Sequence, residues 1–193
     1  MEQLKNEKLT VTISAHGAEL QSIKNAEGRE YLWQGDEKYW PRRSPLLFPI
    51  VCGLWKDEYR VDGRTFNLPR HGFARDMDFE VVEKSDTSVT YTLESNAQTR
   101  EVYPYDFELD VTYILNDDNI NVIWSVKNTG KEEMHFQIGG HPAFNLPGVA
   151  EGDKMHGSIL FDNVEPLTRI IGNTGGCIKP ERYELKTDRQ VWN

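Results

Sequence analysis

Phe107-Glu-Leu-Asp-Val-Thr-Tyr-Ile-Leu115, Asn116-Asp-Asp-Asn119, Ile120-Asn-Val-Ile-Trp-Ser-Val-Lys127: these three consecutive pieces read as strand, turn and strand. A second turn at Asn128-Thr-Gly130 leads into Glu133-Met-His-Phe-Gln-Ile138, which predicts a third strand and so a meander. Working outward from this meander, the same grammar recurs. Lys8–Ser14 alternates with period two, and Ala18–Lys24 follows the turn at His16-Gly17. Tyr59–Val61 and Thr65–Leu68 flank Asp62-Gly63, a pair that accepts positive φ and signals a hairpin. Phe79–Glu83 and Val89–Leu93 flank Lys84–Ser88 as another hairpin. Many short strands at even spacing, with Gly, Asn and Asp turns and no stretch of strong helical periodicity, predict an all-β fold built from large antiparallel sheets.

The chain has 193 residues, enough for one domain with a sizeable core, and residues 1–193 are read as a single domain. With 22 basic against 31 acidic residues the formal charge is −9. That disfavours nucleic acid, whose phosphates need clustered Lys and Arg, and it disfavours an anionic membrane surface. A neutral small molecule is not excluded. The polar start, Met1–Leu9, lacks the apolar run of a signal peptide, and no apolar run reaches membrane-spanning length. Cys52 and Cys177, far apart and without a secretion signal, read as free thiols, and a cytoplasmic location follows by default. The sequence does not fix an oligomeric state.

Three segments carry candidate chemistry. In Trp40-Pro-Arg-Arg-Ser-Pro-Leu-Leu-Phe-Pro-Ile-Val51 the prolines argue against a central strand. Arg42 and Arg43 are either aimed by this loop at a hydroxyl or anion, or are ordinary solvated arginines. In Leu68-Pro-Arg-His-Gly-Phe-Ala-Arg75, His71 precedes a glycine on a loop, a setting open to either a structural or a functional role. In Gln137-Ile-Gly-Gly-His-Pro-Ala-Phe-Asn-Leu-Pro147, two glycines permit close approach and Pro142 biases His141 toward extended backbone. His141 is thus held at a strand end, as a proton donor or acceptor near neutral pH, or as a core histidine bonded to a carbonyl. His16 reads as a turn residue, His135 as a surface or pocket wall, and His156 as part of a polar loop. The spacing of His71, His135 and His141 matches no zinc or facial-triad pattern, so no metal is assigned.

Together, His71-Gly72-Phe73, the Arg-x-Ser-Pro-Leu-Leu-Phe-Pro run and Gly140-His-Pro-Ala-Phe-Asn-Leu146 resemble the galactose mutarotase-like superfamily, on the bacterial aldose 1-epimerase branch similar to LacX proteins. The resemblance implies an antiparallel β-supersandwich, no cofactor, and a small-molecule sugar as partner. It implies interconversion of the α and β anomers of a free aldohexose by acid/base ring opening. The family's ring-oxygen acid matches His141, and a second histidine that binds and polarises the same region matches His71. Arg42, Arg43 and Arg75 are the candidates for holding sugar hydroxyls. Where the family often carries an arginine, this chain reads Cys52-Gly53. The family's general base is a late glutamate with no counterpart before Asn193, so the supersandwich is expected to be incomplete at its C-terminus. The polar stretch Glu184–Asn193 is read as a flexible tail or as the mark of a lost C-terminal part. This chain is therefore expected to be a weak or inactive mutarotase. A non-catalytic carbohydrate-binding protein stays open, as does a hexose-6-phosphate mutarotase using Arg42, Arg43, Arg70 and Arg75.

Overall fold

The computed structural model describes residues 1–146 and 148–149 and, further on, the strands at 157–160, 168–172, 178–184 and 189–192. Three strands, β1 (Glu2–Lys5), β2 (Leu9–Ser14) and β3 (Glu19–Asn25), form one antiparallel sheet in that order. The turn into β3 uses positive φ at Gly17 and Ala18, where the sequence places His16-Gly17. Then come the two-residue β4 (Leu46–Leu47) and a hairpin of β5 (Glu58–Val61) and β6 (Arg64–Asn67). Asp62 and Gly63 both adopt positive φ at its tip, as a two-residue turn matched to strand twist requires.

A second, four-stranded sheet follows. It contains β7 (Glu80–Lys84), β8 (Ser88–Glu94), β9 (Phe107–Asn116) and β10 (Asn119–Asn128), in the order β10-β9-β8-β7. Between β8 and β9 lies a short helix, α1 (Ala97–Val102), closed by a capping box of Asn96 and Thr99. Later, β11 (Gly139–Gly140) pairs back with β4. Of the last strands, β12 (Gly157–Leu160) pairs with β15 (Arg189–Trp192), and β13 (Thr168–Gly172) pairs with β14 (Ile178–Glu184). All these ladders are antiparallel, so the fold is all-β as expected.

The two sheets face each other across one core. Leu4, Val11, Ile13, Leu20 and Ile23 meet Val89, Tyr91, Leu93 and the inner face of β9. Burying such side chains contributes about 1.5–3 kcal/mol each. The phenols stitch the layers together: Tyr113 donates to the carbonyl of Ala18 at 2.6 Å, and Tyr91 donates to that of Ile13 at 3.4 Å.

Two sequence expectations are corrected. The segment Glu133–Ile138 is not a third meander strand on β10. Its groups are taken elsewhere: Gln137 N donates to Pro49 O, the Gln137 side-chain oxygen accepts from Val51 N, and His135 O accepts from the Tyr103 hydroxyl. These contacts draw it over the proline-rich run. The flexible-tail reading of Glu184–Asn193, in turn, gives way to a paired strand, because Arg189–Trp192 finds its ladder on Gly157–Leu160. Cys52 is a free, exposed thiol; Cys177 and His156 lie outside the described residues. Among the described residues, no helix is long and apolar enough to cross a membrane.

Candidate active site

The proline-rich run is the keystone. Phe48 is fully buried and has Phe107, Phe136, Tyr103 and Phe73 around it, at ring-centroid distances of 5.2, 5.8, 6.0 and 6.3 Å. Edge-on and tilted packing of this kind fixes ring position beyond simple burial. On one side the Phe48 carbonyl accepts from Phe73 N at 3.0 Å and Ala74 N at 3.2 Å. Gly72 sits so close that a Cβ there would lie 2.2 Å from the Phe48 oxygen, and its φ is +69°. Only glycine fits both demands. On the other side the run binds the segment carrying the second histidine. His141 N donates to Pro45 O, Ala143 N to Arg43 O, and Gln137 N to Pro49 O.

One run thereby sets two imidazoles. The rings of His71 and His141 lie 6.1 Å apart, centroid to centroid, inclined at 53°. His71 is half-buried, at the uncommon φ of +71°, and locked to Cys52: its N–H donates to Cys52 O at 2.8 Å, and Cys52 N donates to its Nδ1 at 3.0 Å. A backbone donor at Nδ1 makes that nitrogen the acceptor, so the neutral ring carries its proton on Nε2. Burial, followed by the nearby Arg75 and Arg70 and by His141, lowers the His71 pKa from its ordinary 6.5. All four influences disfavour a second proton. His141 is exposed, with the Trp40 ring beside it at 5.1 Å.

The three arginines separate into two environments. Arg42 reaches the Arg75 carbonyl at 3.3 Å and pairs with the Asp76 carboxylate. Arg75 donates through Nη2 to Arg70 O at 2.9 Å, while its buried Nε has no hydrogen-bond acceptor among the described residues; the Asp76 carboxylate is 3.5 Å away. Arg42 and Arg75 therefore share Asp76 on the His71 loop. Arg43 points elsewhere: its guanidinium donates to the Gln21 side chain at 2.8 Å and to Gln34 O at 2.6 Å. Its own N–H, like that of Ser44, donates to the buried carboxylate of Glu19. The structure does not bring Arg43 to the imidazole pair through any of these bonds.

Trp40 and Asp76 are the members that sequence reasoning missed. Trp40 opens the proline-rich run, and Asp76 follows Arg75, so both stood next to residues already singled out. His135 lines a separate cavity of about 450 Å³ with Tyr59, Tyr103 and Tyr105, and His16 pairs with Asp78 at 2.8 Å on the surface.

The aldose 1-epimerase family model matches residues 2–160. The chromosomal LacX protein of Lactococcus lactis subsp. lactis is 43% identical over 171 residues, covering 84% of this chain and 56% of LacX. A galactose mutarotase related enzyme from Lactobacillus acidophilus superposes with TM-score 0.93 at 37% identity, over 100% of this chain and 65% of that one. A galactose mutarotase-like protein from Lactobacillus casei ATCC 334 superposes with TM-score 0.87 at 37% identity, over 99% and 67%. The chain thus spans a little over half the length of the curated relatives and about two thirds of the structural ones. Motifs, strand architecture and similarity over most of its length agree, and the chain belongs to the aldose 1-epimerase family.

Proposed function

We propose that this chain carries the acid half of a sugar mutarotase site, acting on the anomeric centre of a free aldohexose. The observation that carries the reading is the pair of imidazoles 6.1 Å apart, one with its tautomer fixed by the Cys52 N–H. His141 donates a proton to the ring oxygen as the C1–O5 bond breaks, and the C1 hydroxyl gives its proton to solvent water as the carbonyl forms. The aldehyde rotates about C1–C2, and the same steps in reverse close the ring on its other face. His71, neutral, offers Nε2–H to the same region as a hydrogen-bond donor. Trp40 supplies an apolar face beside the acid, on which a sugar ring can rest. Arg75 and Arg42 hold hydroxyls, and Arg43 shapes the loop through Gln21, Gln34 and Glu19.

This reading assigns no base among the described residues. Their ion pairs place Asp76 on Arg42 and Arg75 and Asp78 on His16, and none places a carboxylate on His71 or His141. General acid–base groups contribute about 10²–10⁴-fold each. Anomer exchange catalysed by the chain alone is therefore expected to fall about that far below the common enzyme range of ~1–10³ s⁻¹. Saturation-transfer NMR on α- and β-glucose and galactose measures it, with His141→Asn as control. A rate inside the common range would remove the claim of impairment. Sugar-dependent quenching of tryptophan fluorescence with no His141-dependent exchange would instead select a carbohydrate-binding protein. Absence of both would end the sugar reading.

One observation favours a phosphorylated sugar as a second reading: Arg75 donates to the Arg70 carbonyl and Arg42 to the Arg75 carbonyl, which gathers three arginines on the His71 loop. Competition by inorganic phosphate, weakened in Arg70→Gln, would select it.

A further inference from the structure

The cavity lined by His135 carries recognition chemistry of its own. It holds about 450 Å³, a volume that suits a small organic molecule, and neither His71 nor His141 belongs to it. The β5–β6 hairpin contributes Tyr59, Arg60 and Asp62. Residues 132–135 contribute another part of the wall, tied down by the bond from the Tyr103 hydroxyl to His135 O at 2.9 Å.

Three tyrosines line the space. The rings of Tyr103 and Tyr105 lie 4.8 Å apart, inclined at 57°, and so make an aromatic corner. Two of the three hydroxyls are engaged: Tyr59 donates to Val102 O at 2.7 Å, and Tyr103 to His135 O. Tyr105 differs. It is only 8% exposed, yet its hydroxyl has no hydrogen-bond partner among the described residues. That hydroxyl opens on the cavity instead of being enclosed by protein. A phenol so deeply seated ordinarily finds a partner, and the cavity is the place for one.

The charges in the lining select the partner. Asp62, Glu132 and Glu133 supply three carboxylates, against which Arg60 is the one permanent cation of the lining. None of these four side chains takes part in an ion pair among the described residues. Nor do three His, Cys, Asp or Glu groups gather closely enough, among the described residues, to hold a metal ion. Dispersed negative charge around aromatic faces suits an organic cation, whose apolar body can rest on Ile50, Leu54 and Leu68. Burial first, and then the charges of Asp62 and Glu133, raises the Tyr105 pKa above its ordinary 10, so the phenol is neutral and its oxygen can accept.

We propose that this cavity is a binding site for a small primary ammonium ion with an apolar body. Its N–H groups donate to the Tyr105 oxygen and to the carboxylates of Asp62, Glu132 and Glu133. A neutral sugar is the weaker occupant, because it would leave the excess negative charge uncompensated.

The test titrates the isotope-labelled chain with n-butylammonium chloride, n-butanol and glucose at one ionic strength, and follows the amides of residues 59–62, 103–105 and 132–135 by NMR. Expected is saturable binding of the amine with a millimolar dissociation constant, in keeping with so small a ligand. n-Butanol should bind at least about fivefold more weakly. Tyr105→Phe, which removes only the unengaged hydroxyl, should weaken the amine about fivefold. Glu132→Gln and Glu133→Gln together, both at exposed positions, should weaken it about threefold or more. Glu83→Gln on exposed β7 should change nothing. The proposal is overturned if n-butanol binds as tightly as the amine, or if amine binding is indifferent to the Tyr105 and glutamate variants. It is overturned equally if glucose alone shifts these amides, which would make the cavity a sugar site, or if none of the three probes shifts them. Sugar at the imidazole pair would move the amides around His71 and His141 instead, so failure here and failure of the mutarotase reading are told apart.

Discussion

β9 and β10 are neighbours of equal length, ten residues each, joined by a tight turn and paired along their whole extent. Both alternate apolar with polar side chains. On β9, Phe107, Leu109, Val111, Tyr113 and Leu115 are no more than 4% exposed; across the ladder, Val122 and Trp124 are about ten times as open. The difference lies in what stands opposite, because β9 is faced by the three-stranded sheet whereas β10 overlooks an open groove. Alternation in a sequence reports which side of a strand is made for burial. It does not report whether the burying layer is present.

Truncation mutants break this comparison most sharply. Leu109→Ala on β9 should cost about 2–5 kcal/mol through lost transfer energy and an unfilled cavity. Val122→Ala on β10 should cost less than about 1 kcal/mol, since much of its side chain is already in water. Urea denaturation of both variants measures the pair, and equal costs would mean that β10 is covered in solution. Gly72→Ala comes next, expected at about 2–4 kcal/mol, because it combines strain at positive φ with a clash against the Phe48 carbonyl. Tyr113→Phe is smaller, at about 1–2 kcal/mol, as it leaves the Ala18 carbonyl without its phenol donor inside the sandwich.

The smallest expected effect extends the contrast of covered and uncovered groups to pH. The folded pKa of His71 is lowered, chiefly by burial. As pH falls through about 6.5 the unfolded chain takes up this proton before the folded one does, so stability is present above that range and is lost on acidification. Melting temperature should therefore decline from about pH 8 to about pH 5 less steeply in His71→Asn than in the unaltered protein. Asparagine tolerates the positive φ and can still accept from Cys52 N, which separates the titration from the backbone geometry. Parallel slopes in the two proteins would show that His71 does not titrate differently on folding.

Much of this architecture was legible in the sequence because strands and turns are local. Asp62-Gly63, His16-Gly17 and Lys84–Ser88 all turn where their residues predict, and the β9–β10 pair forms as read. Local pattern failed where distant groups compete for the backbone. Glu133–Ile138 alternates like a strand, but its hydrogen bonds go to Pro49, Val51 and Tyr103. Residues 189–192 look like a tail until Gly157–Leu160 is seen beside them. α1 is too short for periodicity to register and announces itself only by its Asn96–Thr99 cap. At the site, both histidines were visible from their glycine-flanked settings. Sorting the arginines was not possible from sequence, since Arg42 and Arg43 are adjacent and their different fates depend on Asp76 in one case and on Gln21 and Gln34 in the other.

The hydrogen bonds on either side of Leu46–Pro49 have a bearing on tolerance in the engineer's sense. His71 and His141 are far apart along the chain, and placing them by way of the intervening strands would accumulate every small error of twist and loop length. Instead each is measured from a common datum, a few backbone atoms away. Insertions in the outer loops can come and go while the gap between the two rings stays on specification, whereas a shift of that short run would move both rings at once.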